Sequence, residues 1–306
     1  MIFRHFFLSL LMLPTFSKQI AAKLKFRSNL NFLLLSSLPS PESSPAITSI
    51  SPSSYNDFKQ CPKLYEFRYV LKMPTITTLE QVRGTMVHLV LKELFDLPSE
   101  QRTEKEAKDI FLSAWAGARE SKEYDGLFYG KFGEKKWGIE AMKLIENYFR
   151  LENPRKLAPT LREEKMELNF DAKGFKVVGI LDRLDRTENS LNVIDYKTGK
   201  APVLKYSLAV NERIIKEKFQ QLKIYALMIK GKDGQVPNAL TLMYLANPTM
   251  LTMELSEKDL KETEEDLIRV WEAVQRSLES NSFQPKTSRL CDWCSFKSNC
   301  PAFAYF

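Results

Sequence analysis

Asp182, Asp195 and Lys197 are the residues whose types and spacing best suit chemistry. They lie in the stretch GILDRLDRTENSLNVIDYKTGK, residues 179–200. Two runs rich in Val, Ile and Leu, VVGILDRL and LNVIDYK, flank the polar Thr187, Glu188, Asn189 and Ser190, the pattern of two antiparallel strands joined by a tight turn. A turn centred between Glu188 and Asn189 sets Asp182 opposite Asp195. Directly opposed residues share one side of a sheet with Cβ atoms about 4.5–5.5 Å apart, and the period of two brings Lys197 to that side. Opposed like charges destabilise a sheet, so the pair needs a cation. A hard divalent ion with oxygen ligands, Mg²⁺ or Mn²⁺, meets that need. An ordinary surface ion cluster, with Lys197 and Arg183 or Arg186 neutralising the acids, meets it too.

The pattern Gly179-x-x-Asp182-Arg183-x-Asp185 followed by Asp195-Tyr196-Lys197-Thr198-Gly199 resembles the core signature of the RecB-like branch of the PD-(D/E)XK nucleases. The resemblance implies an α/β restriction-endonuclease-like fold: a mixed sheet with flanking helices and a helical insertion. It implies that Asp182 and Asp195 hold Mg²⁺ or Mn²⁺, with the backbone carbonyl of Tyr196 as a further ligand. Lys197 would orient the attacking water or support the transition state.

Helical spacing predicts a helix opened by Gly84 and Thr85, GTMVHLVLKELFDL, with His88, Leu91 and Phe95 on one inward face. A lone histidine on an apolar helix face is ordinarily a core residue. GTxxH is also the form of the RecB-like motif whose histidine joins the two acids, and the other histidine, His5, lies near the start of the chain, so the resemblance implies His88 as a metal ligand. Gln221-Leu222-x-x-Tyr225-Ala226 is similar to the QLxxYA motif of the same branch, which implies that Gln221 and Tyr225 position Lys197 and the DNA strand. Read by itself, it is a helix packed by Leu222, Tyr225 and Leu227 with an exposed glutamine.

The elements that must carry these residues follow in order. A serine-capped helix from Ser51 breaks near Pro62, with Cys61 at the break. Thr103 with Glu106 caps a helix to about Lys122, and Glu134 to Leu151 carries Trp137, Ala141, Leu144, Ile145 and Tyr148 on one stripe, read as core packing within an insertion at about 99–152. Strands are expected at Glu163 to Phe170, Val177 to Leu184, Leu191 to Lys197, Ala239 to Leu245 and Leu251 to Leu255, with a long helix from Glu212 to Lys230 and another capped near Ser256. The lysines and arginine around the Gln221 helix (Lys205, Arg213, Lys216, Lys218, Lys223, Lys230, Lys232) suit a groove that tracks a nucleic-acid backbone or simply a solvated face.

The four cysteines fall at Cys61 and in the tail as C-x2-C-x5-C, Cys291, Cys294 and Cys300. Four thiolates suit tetrahedral zinc or an iron-sulfur cluster, and an even count also permits disulfides. Spacing alone favours zinc. One cysteine before the nuclease core and three after it is the arrangement of the iron-sulfur members of the RecB-like branch, the AddB-type C-terminal nucleases and the CRISPR-associated spacer-processing nucleases, which implies a 4Fe-4S cluster.

The chain has 306 residues, 44% of them hydrophobic, with a net charge of +7. Residues 1–41 carry five of the cations (Arg4, Lys18, Lys23, Lys25, Arg27) and no acid, leaving about +2 elsewhere, so charge is poor evidence for DNA binding. Residues 1–48 read as a leader or linker outside the fold, followed by a nuclease domain over 49–306. The leader fits a secretory signal, an organellar transit peptide or sequence upstream of the true start. Thiols suited to a metal argue against secretion, so a cytoplasmic location is expected, or an organelle if the leader is a transit peptide.

These readings converge on a Mg²⁺- or Mn²⁺-dependent DNA exonuclease acting on single strands or DNA ends in repair or recombination. The alternatives are a non-cleaving single-stranded DNA-binding module stapled by its cluster, the nuclease subunit of a helicase-nuclease complex, and a structural zinc protein. No G-x-x-x-x-G-K-[ST] phosphate loop occurs, so a helicase partner would be a separate chain.

Overall fold

The computed structural model describes residues 47–128 and 130–303; nearly all of the expected leader lies outside them. Its centre is a mixed six-stranded sheet of β1 (Ser49–Ile50), β2 (Leu161–Phe170), β3 (Phe175–Arg186), β4 (Leu191–Lys197), β5 (Ala239–Tyr244) and β6 (Thr249–Glu254), in the order β1-β3-β4-β5-β6 with β2 paired to β3. β4 is buried along both faces, which explains why LNVIDYK reads as an almost unbroken apolar run. Helices α1 (Pro52–Gln60), α2 (Pro62–Tyr65), α7 (Gln220–Asp233) and α8 (Glu257–Glu279) close one face with Tyr55, Tyr65, Leu222, Tyr225 and Trp271. On the other face lie α3 (Leu79–Leu94), α4 (Glu104–Ala118) and α5 (Gly130–Leu151), packed on Ile194, Tyr196 and Met243. The stripe of Trp137, Ala141, Leu144, Ile145 and Tyr148 is buried there as core.

Several boundaries differ from the sequence expectation. Gly84 and Thr85 do not open a helix; they sit inside α3, which starts earlier because Thr78 and Gln81 form a reciprocal capping box. The long helix around Gln221 is two: α6 (Leu208–Lys218), with no buried residue, and α7, with eight, meet at the buried Phe219. Of the basic run there, Lys216, Lys223 and Lys230 are held by Glu262, Asp259 and Glu257 of α8, so these three do not form an open cationic groove. α4 also ends at Ala118, short of Lys122.

The pairing around β3 shapes the site. β2 covers one edge of β3, while β1 and β4 share the other, β1 at Lys176 and Val177 and β4 from Arg183 to Arg186. Between them β1 and β4 diverge, leaving residues 178–182 of β3 unpaired on that edge. Into this wedge reaches Tyr225 of α7, and a Cβ on Gly179 would lie 2.7 Å from its ring. Only glycine permits that approach.

Candidate metal and nuclease site

The register brings three carboxylates near one another on three strands. The β3–β4 ladder keeps the register the turn predicts and ends at Arg183 opposite Ile194, so Asp182 and Asp195 are the first residues past it and are not themselves paired. On the other side Arg162 faces Arg183 and Glu164 faces Leu181, so Glu163 falls opposite Asp182. Glu163 is a non-glycine residue at φ +46°, in the left-handed region. Side-chain alternation slips there: Met166, Leu168 and Phe170 face the same core as Leu161, and in β3 Leu181 and Leu184 share it. Backbone strain of this kind persists where surrounding structure enforces it, and it clusters at functional sites.

The hydrogen bonds show how the row is held. Asp182 Oδ2 accepts the backbone N–H of Tyr196 at 2.9 Å, taking the place of the next ladder rung. His88, from the inward face of α3, stands with Nδ1 3.3 Å from Glu163 Oε1 and 3.5 Å from Asp182 Oδ2, and with Nε2 3.0 Å from the Tyr196 carbonyl. His88, Glu163 and Asp182 present ligand atoms all within 4.8 Å of one another, a grouping that could hold a metal ion. Burial would lower the His88 pKa, but hydrogen bonds to Asp182 and Glu163 outweigh it and raise it to about 10. The imidazolium thus supplies a positive charge between the two acids.

Asp195 stands outside that grouping. Its carboxylate, 2% exposed as a residue, is ion-paired through Oδ2 with Lys197 Nζ at 2.6 Å. Burial pushes its pKa up, with Asp182 adding to the push against the pull of Lys197. Burial alone would lower the Lys197 pKa, but Asp195 raises it, so Lys197 is an ammonium that donates rather than a base. Lys197 Nζ also donates to Gln221 Oε1 at 2.9 Å, and Gln221 Nε2 to Tyr225 Oη at 3.3 Å. Arg183 does not neutralise the aspartate pair; it points into the α3–α5 layer, onto Asp185 and Glu152.

The family model for the PD-(D/E)XK nuclease superfamily matches residues 49–301. The chain belongs to the PD-(D/E)XK nuclease superfamily. Among solved structures, "Putative exonuclease" from Eubacterium rectale is 13% identical over 81% of this chain and 87% of its own, with a TM-score of 0.52, which supports the shared fold. A second, SSO0001, is 14% identical over 94% of this chain and 93% of its own, with a TM-score of 0.38, too low to define a common fold. No curated protein sequence matches the chain.

The predicted residues of the carboxylate site form two hydrogen-bonded sets that meet along β4: His88, Asp182 and the Tyr196 peptide, and Asp195, Lys197, Gln221 and Tyr225. Glu163 is the member the sequence reading missed. The turn Asp171–Gly174 sets its register as the later turn sets that of Asp195, so a register count through it finds Glu163. The four cysteines also share one cavity, with Leu64, Phe67 and Phe303 around them. The N–H of Lys286 donates to Cys61 Sγ at 3.3 Å and that of Ser288 to Cys291 Sγ at 3.4 Å. No three of their sulfurs lie within 4.8 Å of one another.

Proposed function

We propose that this chain is a Mg²⁺- or Mn²⁺-dependent deoxyribonuclease that hydrolyses phosphodiester bonds at DNA ends or in single strands, in repair or recombination. The observation that carries the reading is the carboxylate row Glu163, Asp182, Asp195 closed by His88 and Lys197. The two cations already set against these acids, His88 between Glu163 and Asp182 and Lys197 on Asp195, fit a place built for positive charge. Asp182, Asp195, His88 and the Tyr196 carbonyl would hold the ion, with Glu163 completing the set. A divalent ion so bound makes water acidic enough to attack phosphorus and offsets charge on the phosphate.

The chain's own residues do the rest. Lys197, kept cationic by Asp195, donates to the attacking water or to a non-bridging phosphate oxygen as charge builds there. Gln221 holds Lys197 in place, and Tyr225 holds Gln221. His88 would give up its proton to solvent as the ion is taken up, leaving Glu163 and Asp182 as carboxylates free to hold it. Among the described residues no helix is long and apolar enough to cross a membrane. A separately encoded helicase is a fitting partner.

The four cysteines would carry a 4Fe-4S cluster. The four cysteines on one cavity, with backbone N–H groups on two sulfurs, support a bound group there, and their one-before, three-after arrangement, shared with the resembled iron-sulfur nucleases, favours the cluster over a single zinc.

The test is cleavage of end-labelled single- and double-stranded DNA by anaerobically purified protein with Mg²⁺, Mn²⁺ or EDTA. Metal-dependent release of label supports the reading. Tight DNA binding without cleavage under any metal would favour the binding module instead.

A further inference from the structure

Beside the site, in the α3–α5 layer, lies a buried ion network that the proposed chemistry does not use. Arg183 is 2% exposed, and its guanidinium is bonded on every side. Nε and Nη2 donate to the Asp185 carboxylate at 2.8 and 2.6 Å, and Nη2 and Nη1 reach both oxygens of Glu152, just past the end of α5. Nη1 donates to the phenol of Tyr196 at 2.8 Å, and the guanidinium lies 5.3 Å over the Phe95 ring at the end of α3.

Burying an arginine with two carboxylates is weak evidence for stability, because desolvation offsets much of the attraction; what such a network does well is fix one geometry. The residue it fixes is Tyr196. The Tyr196 peptide contributes twice to the site, its N–H to Asp182 and its carbonyl beside His88. Its ring meets those of His88 and Tyr148 edge-on, at 5.9 and 6.0 Å between centroids. The ring is walled in and its hydroxyl clamped, while the backbone is paired with Met243 of β5, so the Tyr196 peptide is held from the side chain as well as from the strand.

We infer that Arg183, held by Glu152 and Asp185, is a positioning residue that aims the Tyr196 carbonyl into the metal site through the Tyr196 hydroxyl. The inference rests on the metal-site reading above. It couples the helical layer, through Glu152, to the ligand geometry: a shift at the end of α5 reaches the site through one guanidinium. Partners behind first ligands of this kind are worth about 10- to 100-fold in metal affinity.

The test is Mn²⁺ affinity of the full chain without DNA, measured by electron paramagnetic resonance, beside the melting temperature in EDTA. Tyr196→Phe deletes only the hydroxyl and leaves the backbone ligand. It should weaken Mn²⁺ binding about tenfold in protein that is fully folded at the assay temperature, alongside the fall in melting temperature expected from one lost buried hydrogen bond, whereas a purely structural role would move the melting temperature and not the affinity. If Tyr196→Phe does not fold, Arg183→Lys, which keeps the charge but cannot span Tyr196 and Asp185 together, is read the same way. Affinity within twofold of wild type overturns the inference. A wild-type protein that binds no Mn²⁺ overturns the metal reading itself, so the two failures are told apart.

Discussion

The two metal-suited regions of the molecule are built in opposite ways. The carboxylate site stands on three adjacent strands and a long helix, and three of its ligand groups already lie within 4.8 Å of one another, with protonated His88 and Lys197 offsetting the acids. The cysteine site stands on single-turn elements: Cys61 between two short helices, Cys291 and Cys294 in or beside one 3₁₀ turn, and Cys300 at the end of another. It gathers around a small apolar cluster of Leu64, Phe67 and Phe296. A site carried by sheet register exists before its ion binds and is cheap to leave empty. A site carried by turns, joining the beginning of the domain to its end, depends on what it holds. The first is therefore suited to chemistry and the second to holding the fold.

Removing the staple should have the largest effect. Cys61 and Cys300 close a loop of about 240 residues, and in the chain-entropy model closure over such a length is worth on the order of 5 kcal/mol. Cys61→Ser should lose that much in chemical denaturation, together with iron and sulfide, and should lose activity only through unfolding. A protein of unchanged stability would place the cysteines outside the fold's support.

Asp182→Ala, Asp195→Ala and Lys197→Ala should behave in the reverse way. Each should reduce DNA cleavage by about 10³-fold, or about 4 kcal/mol of barrier, because each acts on the ion or the developing charge. Melting temperature and the iron content should stay near wild type. Near-wild-type turnover in any of the three would remove that residue from the site.

A smaller effect is expected at the wedge. Gly179→Ala places a methyl 2.7 Å from the Tyr225 ring, which must move and loosen the Gln221 contact to Lys197. About a tenfold fall in kcat with DNA affinity retained is the expected split, or about 1.4 kcal/mol.

The smallest is a proton count. With a metal-free pKa of about 10, His88 is protonated at neutral pH and must lose its proton to bind an ion. Mn²⁺ affinity should therefore rise with pH, by about tenfold per unit until the pKa is reached. Calorimetry at pH 7.5 in buffers of different ionisation enthalpy should show about one proton released per ion bound. No release would leave His88 as a structural cation instead of a ligand.

The sequence carried the strands of the site well because a tight turn dictates register: once Thr187–Ser190 is placed, Arg183 must face Ile194, which leaves Asp182 and Asp195 just past the end of the ladder. It also carried α1, with Ser51 as its cap, and the capped start of α8 at Ser256, where side chains make local bonds. What it hid depends on distant partners. Nothing local marks Glu163 for a positive φ, since no Gly or Asn stands there; the sheet imposes that conformation. The break at Phe219 follows from a core that buries α7 and leaves α6 outside. Arg183, adjacent in sequence to Asp182, was a plausible partner for the aspartates. Only the fold brings Glu152 to it, from 31 residues away and just past the end of α5.

The central claim is that one row of acids across β2, β3 and β4 is built around a catalytic cation. The most direct measurement is a crystal of the protein soaked in Mn²⁺ and read by anomalous diffraction. A peak among Asp182, Glu163, His88 and the Tyr196 carbonyl, with Asp195 turned from Lys197 toward it, is the predicted result. A clear map with no peak there, His88 still bridging Glu163 and Asp182 at saturating Mn²⁺, would contradict the account.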